Sequence, residues 1–306
     1  MKETILECIH LKKKLGHRLI LEDINLTLNS GEIYGLIGEN GAGKTTTLKI
    51  ITGLMKADTG KISLFGNAEK LSESRKKIGA LVELPALFPN MSAYQNLKTL
   101  CIQNDYSYEQ IIPILHETGL NPNNKTKAQH YSLGMKQRLG IAMSLLGNPS
   151  IVILDEPLNG LDPSGIFDFK NLISNLNQKR NISFLISSHM LTELFQMSTK
   201  FGFIQDGITL KQLSKEELSG QLLTYVHLFT NDSNNLYKII QSNYPQIEMI
   251  NIITDKEISL YTSDKKIILE LLEHFSSLIT DTQYHTESLE NFYMRTISKK
   301  QKEGIL

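Results

Sequence analysis

The chain has only two cysteines, Cys8 and Cys101, far apart and in no metal-ligand spacing. That excludes a disulfide framework and a thiolate metal centre, and leaves two reduced, buried thiols as the reading that fits. There is no excess of either charge, because Lys and Arg number 32 and so do Asp and Glu. The simplest electrostatic signature of a nucleic-acid partner is therefore missing, and none is expected. No apolar run approaches the ~18 residues of a membrane span. The opening "MKETILECIH" mixes charges among its apolar residues, so it does not read as a leader, and direct membrane insertion is not expected. Internal repeats and low-complexity stretches are absent as well. What is present is ordinary for a globular chain that buries a sizeable core. Its 306 residues are 41% hydrophobic and 21% charged, enough for two domains.

Alternation and turn signals predict strands over Thr4–Leu15, Asp23–Leu28 and Ile33–Ile37, and another in "DTGKISLFG". From Ser92 the period becomes helical. Ser92 and Gln95 have the spacing of a capping box. "SIVILDEP" and "NISFLISSH" are short continuous apolar runs between breakers, which suits strands buried on both faces of a parallel sheet. Asp206-Gly207 between two short strands predicts a hairpin. Near Gly220 the pattern restarts and reads βαββαβα, the order of a small ferredoxin-like module.

"GENGAGKT", Gly38 to Thr45, fits G-x-x-x-x-G-K-[ST] and lies between a predicted strand and a predicted helix. The residue types answer to a chemistry. Glycines 38, 41 and 43 let backbone N–H groups curl around a phosphate, with Glu39, Asn40 and Ala42 completing the loop. Lys44 reaches the β- and γ-phosphates, Thr45 offers a hydroxyl to Mg²⁺, and Thr46 serves the α-phosphate. "IVILDE" supplies the matching acids: Asp155 to hold Mg²⁺ through water and Glu156 to polarise an attacking water. A second anion-binding feature lies between them. In "YSLGMKQRLGIAMSLL" Ser132 is placed to cap a helix whose free N–H groups and positive dipole end would suit another phosphate.

These residues resemble the ATP-binding subunits of ABC transporters over about residues 1–215. The phosphate loop matches the Walker A motif, "YSLGMKQR" the signature, "IVILDE" the Walker B, "NGLDP" the D-loop, and His189 in "SSH" the switch histidine. The resemblance implies an α/β fold of the P-loop NTPase type, with a mostly parallel core sheet, an antiparallel N-terminal β subdomain and a helical signature subdomain over about 90–147. Residues 1–220 would form this domain and 221–306 the α+β accessory module. It implies ATP and Mg²⁺ as ligands and an ATP-dependent head-to-tail homodimer, in which Ser132 and Gly134 of one copy hold the γ-phosphate bound by the other. Glu156 becomes the catalytic base, His189 a contact to γ-phosphate and water, and Asp162 an acid crossing to the opposite site.

Three departures from the family pattern stand out. Leu15 occupies the place of an aromatic that stacks on adenine, Leu158 replaces a common Thr, and Glu83 replaces a Gln at the Mg²⁺ and the lytic water. Glu83, the "SLGMKQR" signature and the ending "ESLENFYMR" together resemble the bacitracin-export and lantibiotic-immunity ATPases. That implies a peripheral subunit on the cytoplasmic face of the membrane, bound to permease subunits through the Glu83 loop and expelling a membrane-active peptide antibiotic. Two alternatives are an exporter of another substrate (a toxin, an ion or a lipid-linked intermediate) and a non-transport ABC ATPase.

Overall fold

The computed structural model describes residues 3–83, 86–245, 247, 249–262 and 265–302. It divides into two compact units, the first ending at Lys215 and the second running from Glu216 to Lys302. In the first, β1 (Thr4–Leu15) and β2 (Arg18–Asn29) form a hairpin, and β3 (Ile33–Ile37) leads into α1 (Lys44–Thr52). Then come β4 (Thr59–Leu64), α2 (Leu71–Arg75), β5 (Ile78–Leu81) and the helical stretch α3 (Ala93–Asn104), α4 (Ile111–Glu117) and α5 (Leu133–Ser144). β6 (Ile151–Asp155), α6 (Pro163–Arg180), β7 (Ser183–Ser188), α7 (Leu191–Met197), β8 (Lys200–Gln205) and β9 (Ile208–Ser214) follow, and α8 (Lys215–Gln221) begins at the last residue of this unit and continues into the second.

These strands form one sheet in the order β4-β1-β2-β9-β8-β3-β7-β6-β5. The β1–β2 and β1–β4 pairs are antiparallel, whereas β3, β5, β6, β7 and β8 pair in parallel. Every residue of β3, β6 and β7 is buried, which is why their sequences are continuous and not alternating. The core joins both sheet regions: Leu6, Leu21, Leu36, Leu48, Ile153 and Leu185 share one cluster. Each such side chain contributes roughly 1.5–3 kcal/mol by leaving water.

Local chemistry starts the helices where the sequence says it should. Ser92 and Gln95 make the complete capping box of α3. Ser132 caps α5 by accepting from Met135 N–H. Asp162 caps α6, with Pro163 at the first helical position, where a missing N–H costs nothing. Asp206-Gly207 turns β8 into antiparallel β9 as predicted. One boundary differs: β2 begins at Arg18, not Asp23, because the ladder with β1 continues to the Leu15–Arg18 pair. The short edge strand β5 has no clear alternation in "IGAL" and is made by its parallel neighbour β6.

The second unit contains β10 (Thr224–Thr230), α9 (Ser233–Asn243), β11 (Met249–Thr254), β12 (Glu257–Tyr261), α10 (Lys265–His274), β13 (Ile279–Thr286) and α11 (Leu289–Lys302). Its antiparallel sheet has the order β11-β12-β10-β13, the ferredoxin-like arrangement. Val226, Leu228, Leu236, Ile240, Ile258 and Leu271 lie in its own apolar core.

Candidate active site

The parallel register brings three segments to one sheet edge. Ile37 of β3 stands opposite Ser188 of β7, and Asp155 of β6 stands opposite Ser187. The loop after β3, the acids ending β6 and His189 after β7 therefore meet at the carboxyl ends of adjacent strands, where open α/β sheets bind ligands.

The loop between β3 and α1 calls for glycine at three places, and Gly41, at φ of 87°, is the one with open space around it. Gly43 has φ of 105°, and a Cβ there would come 2.5 Å from the Leu21 side chain. A Cβ on Gly38 would come 2.5 Å from the Ile204 carbonyl. The loop residues Asn40, Gly41, Gly43, Lys44, Thr45 and Thr46 line a cavity of about 280 Å³ whose other lining residues are Leu15, Arg18, Ile20 and Glu156. Ala42 is buried behind it, and Glu39 contributes its carbonyl.

Lys44 is only 5% exposed, so its charge must be paired. Nζ donates to the carbonyls of Gly38 (2.6 Å) and Glu39 (3.1 Å), and lies 3.0 Å from Glu156 Oε1. Glu156 Oε2 is 3.0 Å from His189 Nδ1. One carboxylate thus stands between a buried ammonium and an imidazole. The Lys44 approach is an ion pair and not an aligned hydrogen bond, so buried Oε1 keeps an open acceptor position. Glu156 itself sits at φ of 47°, a left-handed conformation uncommon for a side-chain-bearing residue.

Ser187 holds that conformation. Its Oγ accepts from Glu156 N–H at 2.9 Å and donates to Asp155 Oδ1 at 2.6 Å. One hydroxyl therefore positions both acids. Sequence reasoning missed Ser187. The available signal was two adjacent serines, both 0% exposed, directly after the apolar run Phe184–Ile186. Asp155 is buried and accepts that bond, while Thr45 lies on the cavity wall.

The remaining predicted residues lie elsewhere in this chain. Ser132 and Gly134 line a separate cavity of about 400 Å³, not the one with Lys44. Asp162 is an α6 cap, and the Gly165 N–H bond, with help from Ser164 Oγ, holds its carboxyl below the usual range. Glu83, at φ of 65°, is not on the cavity lining. Its carboxylate lies 2.5 Å from Lys49 Nζ, one turn of α1 beyond Thr45. Leu15 does line the cavity, and Arg18 joins it there without having been singled out from sequence.

Comparison with known proteins agrees with this geometry. A family model described as ABC transporter matches residues 21–159. The chain is 42% identical over 203 residues to the lantibiotic transport ATP-binding protein SrtF of Streptococcus pyogenes, covering 66% of this chain and 88% of that protein. It is 33% identical over 303 residues to the bacitracin transport ATP-binding protein BcrA of Bacillus licheniformis, covering 96% and 97%. Among solved structures, cbiO1 of Clostridium perfringens, part of the ABC transporter complex cbiONQ, superposes with a TM-score of 0.65 at 22% identity. That match covers 80% of this chain and 98% of cbiO1, and concerns the fold.

Proposed function

Because the chain belongs to the family of ABC transporter ATP-binding subunits, we propose that it powers expulsion of a membrane-active peptide antibiotic, of lantibiotic or bacitracin type, giving resistance or self-immunity. That it is an ATPase subunit follows from the family. The peptide substrate is proposed on the similarity to BcrA, which runs through the second unit as well as the first. Cassettes of this family work as dimers and with membrane subunits. For this chain we assign a nucleotide-binding domain over about residues 1–220, an accessory module beyond it, and a peripheral place at the cytoplasmic face. No described helix is long and apolar enough to cross a membrane.

The observation that carries the catalytic reading is the Glu156 carboxylate between Lys44 and His189. The loop N–H groups and Lys44 bind the phosphates, a phosphate oxygen replacing the carbonyls that now satisfy Nζ. Glu156 takes the proton of the attacking water through its open Oε1 position, and His189 holds Oε2 in place and meets the γ-phosphate. Thr45 and Asp155 would hold Mg²⁺. A hydroxyl and a carboxylate are hard oxygen donors, and a metal sharing its shell with phosphates and water needs few protein ligands. Bound there, Mg²⁺ supplies charge neutralisation on the phosphates. The helix start at Ser132 and Gly134 then serves the nucleotide of a second copy, with Asp162 crossing to that site.

Ser187→Ala tests the positioning of the two acids. It should lower kcat about tenfold, equivalent to roughly 1.4 kcal/mol, with little change in ATP affinity and a melting shift of only a few degrees. Ser187→Thr, which keeps a hydroxyl, should recover part of the loss. Equal activity in Ser187→Ala and the wild type would remove Ser187 from the mechanism.

Glu83 is proposed as the coupling residue toward the permease. Its side chain is 61% exposed, so the Lys49 pair is worth well under about 1 kcal/mol and exchanges readily for a basic permease residue. Any contact with Mg²⁺ or the lytic water requires it to leave Lys49 first. Glu83→Gln should keep ATP hydrolysis within about tenfold, while survival of cells challenged with the peptide falls much further. Resistance at the wild-type level in both Glu83→Gln and Glu83→Ala would end the coupling role. Loss of the gene without any change in peptide sensitivity would end the export reading itself.

A further inference from the structure

The segment that follows His189 is short and weakly held by its own sequence. β7 ends at the fully buried Ser188 and α7 starts at Leu191, so only His189 and Met190 lie between them. Met190 N–H donates to Ser188 Oγ at 2.9 Å, and its backbone, at φ of −89° and ψ of 86°, is outside the helical region. No side chain caps the start of α7, which has seven residues, fewer than the roughly 12–15 that an isolated helix needs in water. Where α7 sits, and with it the direction of the chain at His189, is therefore set by tertiary contacts. The fully buried Leu194 makes one of them. Another comes from α6. Lys170 Nζ donates to Glu193 Oε2 at 2.7 Å, in the first turn of α7, and also to Gln196 Oε1, further along the same helix.

One ammonium thus ties α7 to α6 at two acceptors. The Lys170 and Glu193 side chains are 18% and 25% exposed, so water screens this pair less than the one Glu83 makes with Lys49. Glu193 in the first turn also suits the positive end of the helix dipole. The other end of α7 has a separate tie: Lys215 Nζ lies 3.4 Å from the Gln196 carbonyl oxygen and 5.0 Å from the centre of the Phe195 ring. Lys170 does not line the cavity that holds Lys44 and Glu156, so any part it takes in the reaction runs through α7. We propose that Lys170 is the positioning residue of His189. By fixing the first turn of α7 from α6, it sets the imidazole where Nδ1 meets Glu156 Oε2 at 3.0 Å. This rests on the assignment of His189 to the nucleotide site.

The test uses the full chain, measuring ATP affinity by competition against a fluorescent analogue, and single-turnover hydrolysis of Mg-ATP with the chain in excess. Lys170→Met keeps the stem and removes the ammonium. It should slow hydrolysis about tenfold, inside the range that a misplaced reacting group costs, and leave ATP affinity within about twofold of the wild type. Lys170→Arg, whose fork can serve both acceptors, should restore most of the rate. Glu193→Gln should slow the reaction less, again without touching affinity, and reads the same contact should Lys170→Met fail to fold. Lys215→Ala loosens only the far end of α7 and should hydrolyse at the wild-type rate. In a His189→Ala background, Lys170→Met should slow the reaction by less than about twofold, because the group it positions is gone. An equal loss in both backgrounds would overturn the proposal, since a general loosening of the fold acts regardless of His189. So would a wild-type rate in Lys170→Met, or a matching loss in Lys215→Ala. Combined with Glu156→Gln, Lys170→Met should still give the ATP-bound dimer on sizing; a monomer there would assign Lys170 to the dimer contact instead. A His189→Ala chain that hydrolyses at the wild-type rate overturns the assignment of His189 itself, whatever the Lys170 variants do.

Discussion

Glu156→Gln will bind Mg-ATP and hydrolyse it at least about a hundredfold more slowly than the wild type, the range expected on losing a general base. The amide keeps the shape of the side chain and still offers an oxygen toward His189 Nδ1, which now sits 3.0 Å from the carboxylate. It cannot take a proton from water. It also removes the negative partner of Lys44, so the buried ammonium gains more from a phosphate than before. Nucleotide therefore stays, and the ATP-bound dimer accumulates. Sizing chromatography with Mg-ATP should show a dimer for Glu156→Gln, and mostly monomer for the wild type without nucleotide. A variant that turns over at the wild-type rate, or that stays monomeric in Mg-ATP, would refute the assignment of Glu156.

Ser132→Arg will abolish hydrolysis while leaving ATP binding to the isolated chain nearly unchanged. The reason is positional. Ser132 lines a different cavity from Lys44, so the chain's own nucleotide does not meet it. A bulky cation at the start of α5 blocks the approach of a second copy's γ-phosphate. The substitution also removes the Ser132 cap on Met135 N–H, which costs the helix about 1 kcal/mol. Ser132→Ala, which loses the same cap without adding bulk, controls for that loss. Mixed dimers decide the geometry. One Ser132→Arg chain with one Lys44→Ala chain contains one site broken twice and one with both elements intact. Such dimers should regain about half of the wild-type activity, the share of sites left intact when each acts alone. Collapse of ATP binding in monomeric Ser132→Arg would show that Ser132 serves its own chain's site.

Local signals were legible wherever neighbours in sequence settle the structure. The loop from Gly38 to Thr45 needs left-handed backbone and close approach, and only glycines at fixed offsets permit that. The Ser92–Gln95 box, the Ser132 cap and the Asp206-Gly207 turn are each closed by side chains or backbone within a few residues. Full burial of β6 and β7 could be read from their uninterrupted apolar runs. The βαββαβα order after Gly220 already contained the ferredoxin-like module, because short connections leave few ways to pair its strands.

Contacts between distant segments were decided by the tertiary structure alone. No spacing in the chain says that β7 lies between β3 and β6, yet that order is what sets Ser187 beside Asp155 and under Glu156. The ion pair of Glu83 with Lys49 joins the segment after β5 to α1 across 34 residues of chain. Arg18 reaches the cavity because the β1–β2 hairpin folds back beside the phosphate loop, so closely that a Cβ at position 43 would strike Leu21. The sequence by itself determined which residue types could do nucleotide chemistry, since glycine conformation, buried apolar runs and helix caps are local properties. Which of those residues meet was decided by the order in which the sheet buries its strands, a property of the whole core that no short stretch of sequence carries.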